Sequence, residues 1–192
     1  MRRRDVLAGV GSLSVVGGAG VLAIRGPPSA DGTGDSEEPS GSESKTPDPV
    51  AIETVDAPGS EAGEVRVPTT SRATFIDFFG TWCPPCIEQM PALAEANDRL
   101  GDDVLFLSVT SEAVGSSVTE DELVDWWTEH GGSWLLGLDP TAELTARYLA
   151  GGYPSAVAID ADGHVQWSDS GVKTADELAA GIERALETEA DA

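Results

Sequence analysis

Two cysteines three residues apart, in the string Trp82-Cys83-Pro84-Pro85-Cys86, are the residues of this 192-residue chain best suited to chemistry. The string follows an apolar run, Ala73–Phe79, and opens a stretch of near-helical apolar spacing, Pro84–Leu100. A Cys at such a junction meets unpaired N–H groups and the positive end of a helix macrodipole, which favour thiolate over thiol. A second Cys, one turn deeper, can close a small disulfide with it and make a two-electron redox switch. Two other readings compete. A structural disulfide would close too short a loop to stabilise much. Half of a zinc site would need a second pair of thiols, and the chain has only these two. His130 and His164 lie far off in sequence and form no spaced ligand motif, so no metal is expected.

The elements that would hold this pair can be read from periodicity. Val50–Val55 and Glu64–Val67 flank Pro58-Gly59 as an N-terminal hairpin. Ala73–Phe79 and Val104–Val109 are near-continuous apolar runs, the pattern of strands covered on both faces. Pro84–Leu100 is a helix that Pro91 should kink. Thr119–His130 is a helix with Leu123, Trp126, Trp127 and His130 on one face, and Trp134–Leu138 is a short strand. Asp139-Pro140 is expected to start a short helix, with Asp139 as its N-cap. Ala156–Ile159 and His164–Ser168 form a hairpin around Asp162-Gly163. Thr174 and Glu177 make a capping box for the last helix, which carries Leu178, Ile182, Ala185 and Leu186. This order predicts an α/β fold with a mixed sheet. Trp126, Trp127, Trp134 and Trp167 are expected in the core or under the segment after Val109, and the two histidines at the surface.

The string FIDFFGTWCPPCIEQMP resembles the active-site segment of the thioredoxin superfamily. From residue 50 onward the chain is similar to the extracytoplasmic, membrane-tethered TlpA/ResA-type thiol–disulfide oxidoreductases. The similarity includes the hairpin, the insert with Trp126-Trp127, Pro91 five residues after Cys86, and Gly152-Tyr153-Pro154 before a strand. It implies a thioredoxin-like fold, a central mixed β-sheet flanked by helices, with an N-terminal β-hairpin and a helical insert. It implies Cys83 as the exposed nucleophile and Cys86 as the resolving thiol. Pro154 would be the cis-proline facing the dithiol, leaving the Tyr153 backbone to pair with an extended substrate, and Trp82 would belong to the docking surface. Pro84, Pro85 and Pro91 would shape the site. Asp77, six residues before Cys83, matches the buried acid of thioredoxin, and a desolvated carboxyl there could take the proton of Cys86. The redox disulfide Cys83–Cys86 would be the only cofactor. Protein thiols and disulfides, and a membrane thiol carrier supplying electrons, would be the partners of a monomer.

Two departures stand out. Members that reduce apocytochrome c often carry Glu three residues after the second Cys, where this chain has Gln89, which cannot act as a base. Pro84-Pro85 offers the Cys83 sulfur no N–H from either residue, which points to a reductant rather than a strong oxidant. Peroxiredoxin chemistry would call for Thr three residues before the reactive Cys, where Gly80 stands. A copper or other metal-binding module on this fold would need a wider Cys spacing and a placed His.

Charge sets further limits. With Asp+Glu 34 against Lys+Arg 11, the net charge is -23. Nucleic-acid binding requires clustered Lys and Arg and is excluded as a class. Arg2, Arg3, Arg4 and Arg25 lie in residues 1–25, so the remainder is more acidic than the whole. Such a surface resembles those of proteins from extreme halophiles, where salt screens self-repulsion. Arg3-Arg4-Asp5-Val6-Leu7 resembles a twin-arginine export motif, and the uncharged Val6–Ile24 reads as a signal segment or membrane anchor. Residues 26–49, rich in Pro, Gly, Ser and acids, read as a disordered linker, with one domain over residues 50–192 and an extracytoplasmic location.

Overall fold

The computed structural model describes residues 48–148 and 152–190. The export segment and nearly all of the linker lie outside the described residues. The elements are β1 Val50–Thr54, β2 Gly63–Val67, β3 Thr74–Phe79, α1 Pro84–Leu100, β4 Leu105–Thr110, α2 Glu120–Glu129, β5 Leu135–Leu138, α3 Glu143–Arg147, β6 Ser155–Ile159, β7 Val165–Ser170 and α4 Ala175–Ala190.

The described strands form one seven-stranded sheet in the order β2-β1-β5-β4-β3-β6-β7. The three central strands β5, β4 and β3 run parallel, and the outer ones attach antiparallel. Every residue of β3, β4 and β6 is buried, as their apolar composition requires of strands covered on both faces. Alternation then sorts the side chains. Phe75 and Phe79 join Met90 and Leu93 of α1 and Leu178 and Ile182 of α4 in one core layer. Ile76, Phe78, Leu107, Val109, Val157 and Ile159 meet Leu144 and Tyr148 in the other. Full burial of side chains this size stabilises by about 1.5–3 kcal/mol each. Two places removed from both Phe75 and Phe79, Asp77 belongs on the α1/α4 side of β3.

The mixed sheet, the N-terminal hairpin and the helical insert are as the sequence predicts. β1 and β2 pair from Val50↔Val67 to Thr54↔Gly63. Gly59, at φ 75°, lies in the turn between them, and a Cβ there would sit 1.9 Å from the Ser133 carbonyl carbon. Helix α1 runs unbroken through Pro91. Helix α2 opens on a second capping box, Thr119 with Glu122. Trp127 and Trp134 are buried, and Trp126 and Trp167 pack partly buried against the core.

One element differs from expectation. α3 begins at Glu143 and not at Asp139-Pro140. The chain first makes a turn, closed by the Ala142 N–H donating to the Asp139 carbonyl and carried through Ala142 at φ 54°. Asp139 still serves the helix. Its buried carboxylate accepts the N–H groups of Leu144 and Thr145 and the Thr145 hydroxyl.

Gly181 lies inside α4, where Gly costs about 1 kcal/mol relative to Ala. The Trp167 ring explains it, since a Cβ at Gly181 would lie 2.5 Å from Trp167 Cδ2. Gly181→Ala should therefore destabilise by about 1–3 kcal/mol in denaturant unfolding. In a Trp167→Ala background the same change should stabilise. Equal effects in the two backgrounds would contradict this packing.

Candidate active site

β3 is hydrogen-bonded on both sides, to β4 and β6, so its C-terminal end is a fixed platform. The chain leaves it through Gly80, Thr81 and Trp82, and the Cys83 N–H donates to the Gly80 carbonyl at 3.1 Å. A residue outside the loop also holds it. The Glu112 carboxylate, just past β4, accepts the Thr81 N–H at 2.7 Å and the Thr81 hydroxyl at 2.9 Å.

Cys83 is the N-cap of α1, with Pro84 and Pro85 in the first helical positions. A helix N-terminus normally presents several free N–H groups, but two are missing here. The first amide the helix offers is that of Cys86, and it donates to Cys83 Sγ at 3.3 Å. Cys83 and Cys86 form a disulfide, with Cα atoms 5.3 Å apart. In this oxidised form Cys83 is only 3% exposed, against the expectation of an exposed sulfur. Both cysteines belong to the core layer under α1. The exposed group is Trp82, at 66%. Its ring meets Tyr153 edge-on, with centroids 5.8 Å apart, and the Tyr153 hydroxyl shares a 2.8 Å hydrogen bond with Ser111. The Tyr153–Pro154 peptide bond is cis.

Asp77 is 1% exposed and accepts a 3.0 Å hydrogen bond from the Ser108 hydroxyl on β4. Ser108 in turn accepts from the Trp134 indole N–H at 2.9 Å. Burial in this apolar layer pushes the Asp77 carboxyl up from 3.8 to about 7, and the Ser108 bond, which favours the charged form, only partly opposes it. A solvent-facing role for Asp77 is thereby excluded.

Asp77, Gln89, Pro154 and Lys173 line one narrow cavity. Gln89 is buried and fully engaged. Its amide donates to the Lys173 carbonyl at 3.1 Å and its carbonyl accepts the Lys173 N–H at 2.6 Å. It thus clamps the β7–α4 loop onto α1. Of the expected site residues, Cys83, Cys86 and Trp82 are consecutive or nearly so, and Tyr153 packs on Trp82. Asp77 and Pro154 meet at the cavity, while Pro91 is remote, seven positions along α1 from Pro84. The clamp by Gln89, the Ser108–Trp134 relay and the Glu112 tether were not read from the sequence, because each joins residues far apart in it. Among the described residues, no three His, Cys, Asp or Glu side chains converge as metal ligands would.

Comparison with known proteins agrees with this geometry. The Redoxin family pattern matches residues 55–186. Sporulation thiol-disulfide oxidoreductase A of Bacillus subtilis is 25% identical over 118 residues, covering 62% of this chain and 71% of that protein. Thiol-disulfide oxidoreductase ResA of Bacillus thuringiensis is 25% identical over 107 residues, 56% of this chain and 60% of its own length. The crystal structure of StoA from Bacillus subtilis superposes with a TM-score of 0.59 at 22% identity, covering 71% of this chain and 98% of that one. The chain belongs to the Redoxin family and is a thiol–disulfide oxidoreductase with a thioredoxin-like fold.

Proposed function

We propose that the protein is an extracytoplasmic protein-disulfide reductant that works through the dithiol form of Cys83 and Cys86. The observation that carries this reading is the closed Cys83–Cys86 pair at the N-terminus of α1, with one amide donor on the Cys83 sulfur. Few donors mean weak stabilisation of the thiolate, and a dithiol so placed gives up its electrons readily. Arg3-Arg4 and the uncharged stretch that follows would export the chain and tether it. A membrane thiol carrier would then regenerate the dithiol, since the outer compartment is oxidising.

The reaction runs in two exchanges. The Cys83 thiolate attacks one sulfur of a substrate disulfide, forming a mixed disulfide, and the other substrate sulfur leaves as a thiolate that takes a proton. Cys86 then loses its proton, attacks Cys83 Sγ and expels the second substrate thiolate. The dithiol gives two electrons and two protons, and the substrate becomes two thiols. Asp77 is the group suited to take the Cys86 proton, because a carboxyl titrating near 7 can accept and return it at neutral pH. Tyr153 and Pro154 would receive an extended substrate segment, with Trp82 at its edge. Gln89 is bound to the Lys173 backbone and supplies no base, which argues against a dedicated role in cytochrome maturation.

Cys86→Ser should accumulate mixed disulfides on Cys83 with protein partners, resolved by mass spectrometry, whereas Cys83→Ser should trap none and reduce no insulin. Traps on neither variant, together with inactivity of the wild type, would end the reductant reading. Asp77→Asn should slow insulin reduction by roughly 10²-fold and remove an inflection near pH 7 from its rate profile. Folding stability carries a signed signature of the same group. The raised carboxyl is protonated when folded and ionised when unfolded between about pH 4 and 7. Its contribution is therefore present below pH 4 and lost as pH rises through about 7, by roughly 4 kcal/mol at most. Urea melts of wild type against Asp77→Asn should show that difference, and parallel curves across the range would refute it.

A further inference from the structure

A groove of about 680 Å³ opens between the redox loop and the insert, walled by Trp82, Thr81, Ser111, Glu112, Glu122 and Trp126 among others. Trp82 is bonded in sequence to Cys83. Trp82 therefore joins the groove to the redox pair, and residues flanking a disulfide attacked by Cys83 come within reach of it.

Its walls combine two kinds of group. The indoles of Trp82 and Trp126 line it, and Trp126 is fixed by stacking on Phe79, with centroids 5.0 Å apart, and by an edge contact with His130. Two carboxylates supply negative charge. The backbone and hydroxyl of Thr119 both donate to Glu122 Oε2 at 2.8 Å, which lowers the pKa of Glu122 and keeps it ionised. Its Oε1 receives neither of those bonds. Glu112 Oε2 accepts from the Thr81 N–H and the Thr110 hydroxyl, and Oε1 from the Thr81 hydroxyl alone. A carboxylate has about four acceptor positions, so both residues keep capacity for a further donor. Neither takes part in any ion pair among the described residues.

Carboxylates with unused lone pairs beside two indoles suit a planar cation with several donors, which a guanidinium is. We propose that this groove is a specificity subsite that takes an arginine side chain of the substrate polypeptide, close in sequence to the cysteine attacked by Cys83. The proposal rests on the reading of Cys83 as the nucleophile, and it narrows the substrates to protein disulfides flanked by basic residues. The acidity of the chain as a whole would attract any cation at long range. The groove differs in acting at contact, so salt weakens its preference less than it weakens the long-range attraction.

The test uses the full-chain protein, reduced beforehand, and two peptide disulfides identical except for Arg or Gln two residues from the cysteine. Single-turnover rates are followed by tryptophan fluorescence at about 1 M KCl, where the screening length is about 3 Å. The Arg peptide should react at least 10-fold faster. Glu122→Gln, which can keep the capping box, and Glu112→Gln should each cut that ratio at least threefold. Glu183→Gln on α4 removes the same charge elsewhere and should leave the ratio unchanged. If the wild type reduces both peptides at one rate, the subsite is overturned while the reductant reading stands. A ratio that all three variants lower alike, or that none lowers, also overturns it, by assigning any preference to general acidity or to other residues. Failure to reduce either peptide would instead sink the reductant reading beneath it.

Discussion

Between β3 and α1 the chain places Pro84 and Pro85, which have no hydrogen to donate, so the Cys83 sulfur meets a helix N-terminus with its first two amides removed. Among the described residues only the Cys86 N–H donates to it, at 3.3 Å. The rest of the site is organised around that contact. β3 is paired with β4 and β6 on its two sides, which holds the junction in place, and Glu112 ties down Thr81 in the turn into Cys83 through two hydrogen bonds. The macrodipole still favours a thiolate at Cys83. The direct donors that would make the thiolate very stable are few. On the reading proposed above, such a dithiol would favour its oxidised state, which is the condition for a reductant.

The same economy of polar groups governs the proton. Asp77 is buried in an apolar layer, which raises its carboxyl to about 7, and its one hydroxyl partner only partly opposes that rise. More donors would lower its pKa and leave it a weaker proton acceptor. Gln89, at the position where some relatives of this type have an acid, is occupied with the Lys173 backbone and closes the cavity that Asp77 shares. Placing a second carboxyl in that cavity would set two like charges against each other. One acid and one clamp avoid that conflict.

How much of this was legible in the sequence depends on how local each feature is. The dithiol, its strand and its helix lie within Ala73–Leu100, and each has a pattern of its own: an apolar run, a Cys spacing, a helical period. The burial of Asp77 could be read because it interrupts Phe and Ile in a strand covered on both faces. The α3 start was misplaced because Asp139 can cap from a turn as well as from the N-cap position, and local sequence does not separate the two. Ser108 under Asp77, Glu112 on Thr81 and Gln89 on Lys173 are each one hydrogen-bonding side chain meeting a residue 31 or 84 positions away. No periodicity marks such pairs. Gln89 was read from sequence as an acid lost, and only the fold shows what the amide does instead.

The acidic surface, too, acquires a local meaning. Many of the described carboxylates face solvent, but Glu112 and Glu122 line the groove beside the redox loop. The central claim remains the direction of electron flow set by the Cys83 sulfur. The most direct measurement is the equilibrium potential of the Cys83–Cys86 couple in defined thiol–disulfide buffers. The account predicts a reducing value, below about −200 mV and towards that of thioredoxin at about −270 mV. A value near −120 mV, in the range of strong disulfide-forming oxidants, would contradict it.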